Sequence, residues 1–125
     1  MNCLYRISTP QVQKIHAGKV RDSLRIDNNT RMIVVTDRIS AFDLKMNTPI
    51  PDKGQVLNRL SNYWFGLTQD IVRNHVKATV DPNITLVHEC KTIKVEMIVR
   101  GYLSGSVWRG YQQGRRTFSG VSVPD

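Results

Sequence analysis

The sequence GKVRDSLRIDNNTRMIVV, residues 18–35, contains the strongest fold signal of the chain. Its last part, Met32–Val35, is a short continuous apolar run that is typical of a buried strand. Residues 19–26 are also strand-like, and the turn-forming residues Asp27-Asn28-Asn29 separate them from that run. The stretch therefore predicts an antiparallel hairpin.

The remaining elements are short, and they do not alternate regularly between strand and helix. Residues 3–8, 77–80, 86–88 and 95–100 predict further strands, and 101–111 predict a loop followed by a short helix. This order favours an α+β fold with a mostly antiparallel sheet and flanking helices over a doubly wound sheet.

One segment predicts an amphipathic helix of about 15 to 20 residues. Apolar residues recur there at helical spacing, and we expect them to form its buried face: Val56, Leu57, Leu60, Trp64, Leu67 and Ile71. The aromatic residues 63–65 could stack on nucleic-acid bases, but at this spacing they are predicted to be core.

The composition describes an ordinary globular protein of about one domain, with 125 residues, 40% hydrophobic and 22% charged. No apolar run approaches the roughly 18 residues that span a bilayer, and the N-terminus lacks a signal-peptide pattern. The separated Cys3 and Cys90 are expected to be reduced thiols of a cytoplasmic protein.

The net charge of +8 is scattered along the chain, which favours contacts with small polyanions over a nucleic-acid groove, although a solvated basic surface has the same pattern.

GKVRD, residues 18–22, is the first candidate site. Gly18 lets the backbone approach a ligand, and alternation along a strand would put Lys19 and Arg21 on one face, where they could neutralise a triphosphate. A turn glycine followed by a solvated strand is the alternative interpretation.

DRISAFD, residues 37–43, is the second candidate, because it follows directly on a buried strand. Asp37, Arg38, Ser40 and Asp43 could hold a polar substrate. They could equally form a local network of salt bridges and turns.

VEMIVRGYLSGS, residues 95–106, is the third candidate. Glu96 and Arg100 would share a face of a strand, and the Ser104–Ser106 segment offers hydroxyl and N–H groups for an anion. A capping serine beside a surface arginine is the alternative.

The histidines His16, His75 and His88 have no metal-site spacing, and no nucleophile is paired with a base.

These clusters follow one another in a specific order. Four segments together resemble SAICAR synthetase, the phosphoribosylaminoimidazole-succinocarboxamide synthase family of purine biosynthesis. They are HAGKVRD, TDRISAFD, PIPDKGQVLNRLSNYWF and VEMIVRGYLSGSVW. The resemblance runs from about His16 to the end of the chain. It implies that residues 1–125 form a single domain, the N-terminal ATP-binding part of a larger chain, with a sheet resembling a kinase-like small lobe.

The resemblance also implies a chemistry, which is ATP-dependent carbon–nitrogen ligation. Carboxyaminoimidazole ribotide and L-aspartate would give SAICAR, ADP and phosphate. The implied cofactors are ATP and Mg²⁺, and the metal ligands are expected in the missing C-terminal half, with none in this chain. The implied partners are these small molecules, with no nucleic acid and no membrane, and a homo-oligomer could form through the exposed half-cleft.

Site residues follow from the same resemblance. The glycine-rich loop over the ATP phosphates falls on Gly18, Lys19, Val20 and Arg21, and the nucleotide is also expected to contact Lys91, Thr92, Ile93 and Glu96. Substrate binding is expected at Arg38, Lys53, Arg100 and Ser106, and catalytic roles at Asp37, Ser40 and Asp43.

The sequence also departs from the family pattern. Asp52 stands where glycine is common, Ser23-Leu24 stands where the family often has Ile-Tyr, and the family's chains are much longer. We therefore expect this chain to bind nucleotide but to be inactive alone. The alternative is a non-catalytic basic module that binds nucleotide or RNA.

Overall fold

The computed structural model of the chain describes residues 3–41 and 44–125. The chain forms two compact units, Met1–Lys91 and Thr92–Asp125. Strands and two helices make up these units, so the predicted α+β class is confirmed. Neither helix of the described residues is long and apolar enough to cross a membrane.

The first unit is built on one antiparallel sheet. Its elements are, in chain order, β1 (Lys14–Ala17), β2 (Arg21–Asp27), β3 (Thr30–Val35), β4 (Ser40–Ala41), β5 (Leu44–Lys45), α1 (Lys53–Leu67), β6 (Val76–Asp81) and β7 (Ile84–His88). Five strands form the sheet in the order β1-β2-β3-β7-β6, and β4 pairs with β5 separately.

The hairpin predicted from residues 18–35 is present as β2 and β3. The side chain of Asp27 accepts a hydrogen bond from the N–H group of Asn29 at 2.7 Å, which stabilises the connecting turn. Leu24 on β2, Val34 on β3 and Val87 on β7 are the buried apolar residues of the described chain. The three central strands therefore carry the core.

Helix α1 packs on the sheet through asparagine side chains. Asn58 donates to the carbonyl of Pro82 at 3.0 Å and accepts from the hydroxyl of Thr85 at 2.9 Å. Asn62, one turn later, donates to the hydroxyls of Thr79 and Thr85, each at 2.9 Å. Since these groups are satisfied by one another, the polar face of the helix can lie against the sheet.

The predicted helix is confirmed, but the prediction of its buried face is wrong. The side chains expected in the core are 43–79% exposed: Val56, Leu57, Leu60, Trp64, Leu67 and Ile71. Tyr63 is exposed as well, and Phe65 alone of the three aromatic residues is half-buried. The physical reason is that Asn58 and Asn62 find specific partners on β6 and β7, which places the opposite, apolar face outward.

The second unit contains α2 (Gly105–Gln112) and a two-stranded hairpin of β8 (Thr117–Phe118) and β9 (Val121–Ser122). The short helix was predicted, whereas the hairpin was not. Within α2, the rings of Trp108 and Tyr111 stack with centroids 5.8 Å apart.

Two predicted strands are wrong. Residues 3–8, which lie in the described part, are irregular, and Leu4 exchanges hydrogen bonds with Asp37. Residues 95–100, also described, form no strand because no neighbouring strand pairs with them; Val99 is 94% exposed. Three strands of the first unit were not predicted, namely β1, β4 and β5.

Candidate functional site

The turn between β1 and β2 contains the predicted phosphate-binding residues. The N–H group of Gly18 donates to the carbonyl of Arg21 at 2.8 Å and closes the turn. A Cβ at residue 18 would lie 2.8 Å from that same oxygen, so a side chain would force the backbone to shift. The strand predicted over 19–26 begins only at Arg21, so Lys19 lies in the turn before it. The two cations are both exposed, but strand alternation cannot be the reason for placing them on one face.

The conformation of this turn is held by Thr36, which follows β3 and is fully buried. The carbonyl of Val20 accepts two hydrogen bonds from Thr36, one from its N–H group at 3.0 Å and one from its hydroxyl at 2.7 Å. Thr36 was not predicted from the sequence. Its position between a buried strand and the DRISAFD segment is the signal that could have indicated it.

Asp22, the residue after the turn, is also buried and was not predicted. It accepts from the guanidinium of Arg38 at 2.8 Å and from the ammonium of Lys14 at 3.3 Å. Burial raises the pKa of this carboxyl, but the hydrogen bonds and charges of Arg38 and Lys14 outweigh burial and leave the pKa below its ordinary value of 3.8.

The lowered pKa predicts how stability depends on pH. Because the folded pKa of Asp22 lies below the unfolded one, its contribution is present above pH 3.8 and is lost as the pH falls through the folded pKa. We expect Asp22→Asn to be less stable than the parent chain at pH 7 and to show a smaller further loss in acid. Thermal unfolding between pH 7 and pH 2 measures this, and parallel acid profiles of the two chains would contradict it.

Asp37 occupies a structural position. Its carboxylate is 3% exposed, and its two oxygens accept from backbone N–H groups, one from Leu4 and one from Gly54, each at 2.8 Å. The side chain thus connects the N-terminal segment to the start of α1. The expected catalytic role of Asp37 stays a prediction.

The other residues predicted for this region include Ser40, Lys53 and Asp43. Ser40 is half-buried on β4, where it pairs with Lys45, and Lys53 is the first residue of α1. Asp43 lies outside the described residues. Asp52, where the resemblance implies a glycine, has a φ of 62°, a left-handed conformation that glycine adopts at lower cost.

The second unit brings three predicted residues into one cavity. A space of about 790 Å³ is lined by Glu96, Arg100 and Ser106, together with apolar side chains that include Met97 and Leu103. This space is open to solvent, since the side chains that line it are mostly exposed, Met97 by 82%. The cation, carboxylate and hydroxyl beside apolar surface could contact a polar small molecule there.

Within this cavity, the guanidinium of Arg100 lies close to the start of α2. Gly105, the first residue of the helix, has a φ of 64°, and a Cβ there would lie 3.4 Å from the guanidinium atoms. The first N–H groups of a helix have no partner within it and attract anions. Arg100 and the start of α2 together can therefore hold a phosphate or carboxylate.

The remaining residues that are predicted to contact the nucleotide lie on an irregular, exposed segment. These are Lys91, Thr92 and Ile93, and Ile93 is 82% exposed. In the part of the chain that the structure describes, no three His, Cys, Asp or Glu side chains group in a way that could hold a metal ion.

Comparisons with known proteins agree with the sequence resemblance. The SAICAR synthetase family model matches residues 14–123. A phosphoribosylaminoimidazole-succinocarboxamide synthase of Flavobacterium psychrophilum is 46% identical over 116 residues, which are 93% of this chain and 37% of that protein. The synthase of Legionella pneumophila strain Lens is 45% identical over 98% of this chain and 40% of its own.

Solved structures show the same relation. The Saccharomyces cerevisiae SAICAR synthase complexed with SAICAR is 33% identical, with a TM-score of 0.88 over 97% of this chain and 48% of that chain. A type-2 SAICAR synthetase in complex with ADP shares the fold, with a TM-score of 0.69 at 21% identity.

The chain spans about two fifths of the length of the curated relatives it matches. It belongs to the SAICAR synthetase family.

Proposed function

We propose that this chain is the nucleotide-binding part of a SAICAR synthetase. The reaction would join the carboxylate of carboxyaminoimidazole ribotide to the amino group of L-aspartate and release ADP and phosphate. The observation that carries the proposal is the glycine turn Gly18–Arg21, which is closed by its own hydrogen bond and held by Thr36, in a chain with a family match over 14–123.

The chemistry explains why such a turn is needed. A carboxylate is a poor electrophile, and transfer of the γ-phosphoryl group of ATP to its oxygen gives an acyl phosphate and ADP. The amine of aspartate then attacks the carbonyl carbon, the C–N bond forms, the nitrogen loses a proton, and phosphate leaves with the C–O bond electrons. Catalysis here rests on positioning and on neutralising phosphate charge, and Lys19, Arg21 and the turn backbone are suited to that work.

The second unit supports a site for the ribotide. Arg100 and the N–H groups at the start of α2 are suited to its phosphate, and Ser106 in the same cavity offers a hydroxyl. Glu96 in that cavity is assigned to the nucleotide with Lys91, Thr92 and Ile93. We propose that the region where the substrates meet includes Asp37, Ser40, Asp43 and Lys53. Arg38 was expected there as well, but it is buried and donates to Thr36 and Asp22.

Mg²⁺ accompanies ATP in phosphoryl transfer, and its charge would offset that of the phosphates. The described residues offer no cluster of acidic or histidine ligands for it. We therefore propose no metal ligand among the described residues.

We further propose that the chain alone does not complete the reaction, because it matches only about two fifths of its relatives' length. A coupled ADP-release assay with ATP, the ribotide and aspartate is expected to show no turnover by the chain. A rate close to that of a full-length synthetase would contradict this. A cytoplasmic location and a homo-oligomer formed through the exposed half-cleft belong to the same proposal.

Lys19→Ala is the variant that tests nucleotide binding. Removing one cation beside the phosphates should weaken MgATP binding by about tenfold, roughly the 1.4 kcal/mol typical of a charge-assisted contact. Arg59→Ala removes the same charge from an exposed position on α1 and is the matched control, expected to bind as the parent does. Calorimetric titration measures both variants, and equal weakening by the two would argue against a phosphate site at the turn.

A non-catalytic basic module that binds nucleotide or RNA is the second candidate, because a net charge of +8 attracts any polyanion, although its scatter along the chain favours small ones. RNA binding would fall steeply with salt and would not depend on Lys19 in particular. Titration with single-stranded RNA at two salt concentrations separates this candidate from the ligase part.

A further inference from the structure

The guanidinium of Arg38 is buried, with 8% of the residue exposed, and two of its nitrogens have protein partners. Its Nε donates to the hydroxyl oxygen of Thr36 at 2.8 Å, and a terminal nitrogen donates to Asp22 at 2.8 Å. This burial and these partners differ from the expectation that Arg38 reaches out to a substrate.

The contact with Thr36 fixes the direction of a hydrogen-bond chain. Arginine can only donate, so the Thr36 hydroxyl must accept from Arg38 and must use its own proton elsewhere. That proton is directed to the carbonyl of Val20 at 2.7 Å, inside the glycine turn. Each bond of such a chain polarises the next.

The second contact of Arg38, with Asp22, lies at the C-terminal end of the turn. Asp22 follows Arg21 directly, and its second oxygen binds Lys14 on β1. Arg38 therefore connects the two strands that flank the turn to the carbonyl at its centre.

We infer that Arg38 is a positioning residue that acts through Thr36 and Asp22 to hold the Gly18–Arg21 turn in the conformation that receives the nucleotide phosphates. The inference rests on the proposed nucleotide site. Backbone amides bind phosphate well only when they are already oriented, because ordering them during binding lowers the affinity.

Two substitutions at Thr36 test the hydrogen-bond chain. Thr36→Val keeps the side-chain shape and removes the hydroxyl, and we expect MgATP affinity to fall about tenfold and amide exchange at residues 18–22 to accelerate. Thr36→Ser restores the hydroxyl and should recover most of the affinity and protection. Exchange in β7 (Ile84–His88) should stay unchanged in both variants, which a general loss of stability would not allow.

Arg38→Lys is the second line of the test, because one ammonium cannot reproduce both directed contacts of the guanidinium. We expect faster exchange at 18–22 and affinity lowered about fivefold. Unchanged exchange at the turn in Thr36→Val and Arg38→Lys would overturn the inference, as would global unfolding of both variants. If the parent chain fails to bind MgATP, the proposed function fails, and the exchange data still decide whether Arg38 positions the turn.

Discussion

Gly54→Ala is expected to destabilise the first unit by about 3 kcal/mol or more, because the close approach of α1 to the end of β3 leaves no room for a side chain. A Cβ at residue 54 would lie 2.5 Å from the carbonyl oxygen of Val35, 2.5 Å from the side-chain nitrogen of Asn83 and 2.9 Å from the carbonyl carbon of Thr36. Two of these atoms belong to the backbone and cannot rotate away. The helix would have to move from the sheet, and thermal or urea unfolding measures the loss.

Gly66→Ala in the same helix is the matched control. Beyond its own neighbours and the helix backbone, no described atom lies within 4 Å of the Cβ that this change adds. Alanine should stabilise the helix there by up to about 1 kcal/mol through its higher helix propensity. If the two variants unfold at the same denaturant concentration, the packing described for Gly54 is incorrect.

Asp37→Asn is expected to destabilise the chain by about 2–3 kcal/mol. Both carboxylate oxygens accept from backbone N–H groups, those of Leu4 and Gly54. An asparagine keeps one accepting oxygen and presents an NH₂ group to the other donor, so one buried N–H group loses its partner. Chemical unfolding at neutral pH measures the change.

Asp70→Asn, at an exposed position after α1, is the control for removing a carboxylate and should change stability by no more than about 0.5 kcal/mol. A purely catalytic Asp37 would leave the unfolding curve of Asp37→Asn unchanged. That result would contradict the structural role and favour the catalytic one.

Local signals were sufficient for part of the fold. The Asp27-Asn28-Asn29 turn before an apolar run identifies the β2–β3 hairpin, and helical spacing identifies α1. The order of the four sequence segments identifies the family, and the family match over residues 14–123 confirms it. These features depend on residues that are close in sequence.

The remaining features depend on partners distant in sequence. Asn58 and Asn62 turn the polar face of α1 to the sheet because Thr79 and Thr85 meet them there, and helical periodicity alone does not contain that information. Residues 95–100 have strand composition, yet a strand needs a neighbour to pair with.

The candidate site is predictable to a similar degree. Gly18 and its cations follow from the sequence pattern, whereas the buried network of Thr36, Asp22 and Arg38 joins residues up to 16 positions apart. A polar residue in such a network has no local pattern that distinguishes it from a surface residue. Arg38 was accordingly expected to contact substrate.

Hydrogen exchange of the parent chain with and without saturating MgATP tests the central claim most directly, because it measures where the nucleotide binds. We expect slower exchange at residues 18–22 with the nucleotide present, and no change in the β8–β9 hairpin. Saturable binding that protects other residues and leaves the Gly18–Arg21 turn unprotected would contradict the account.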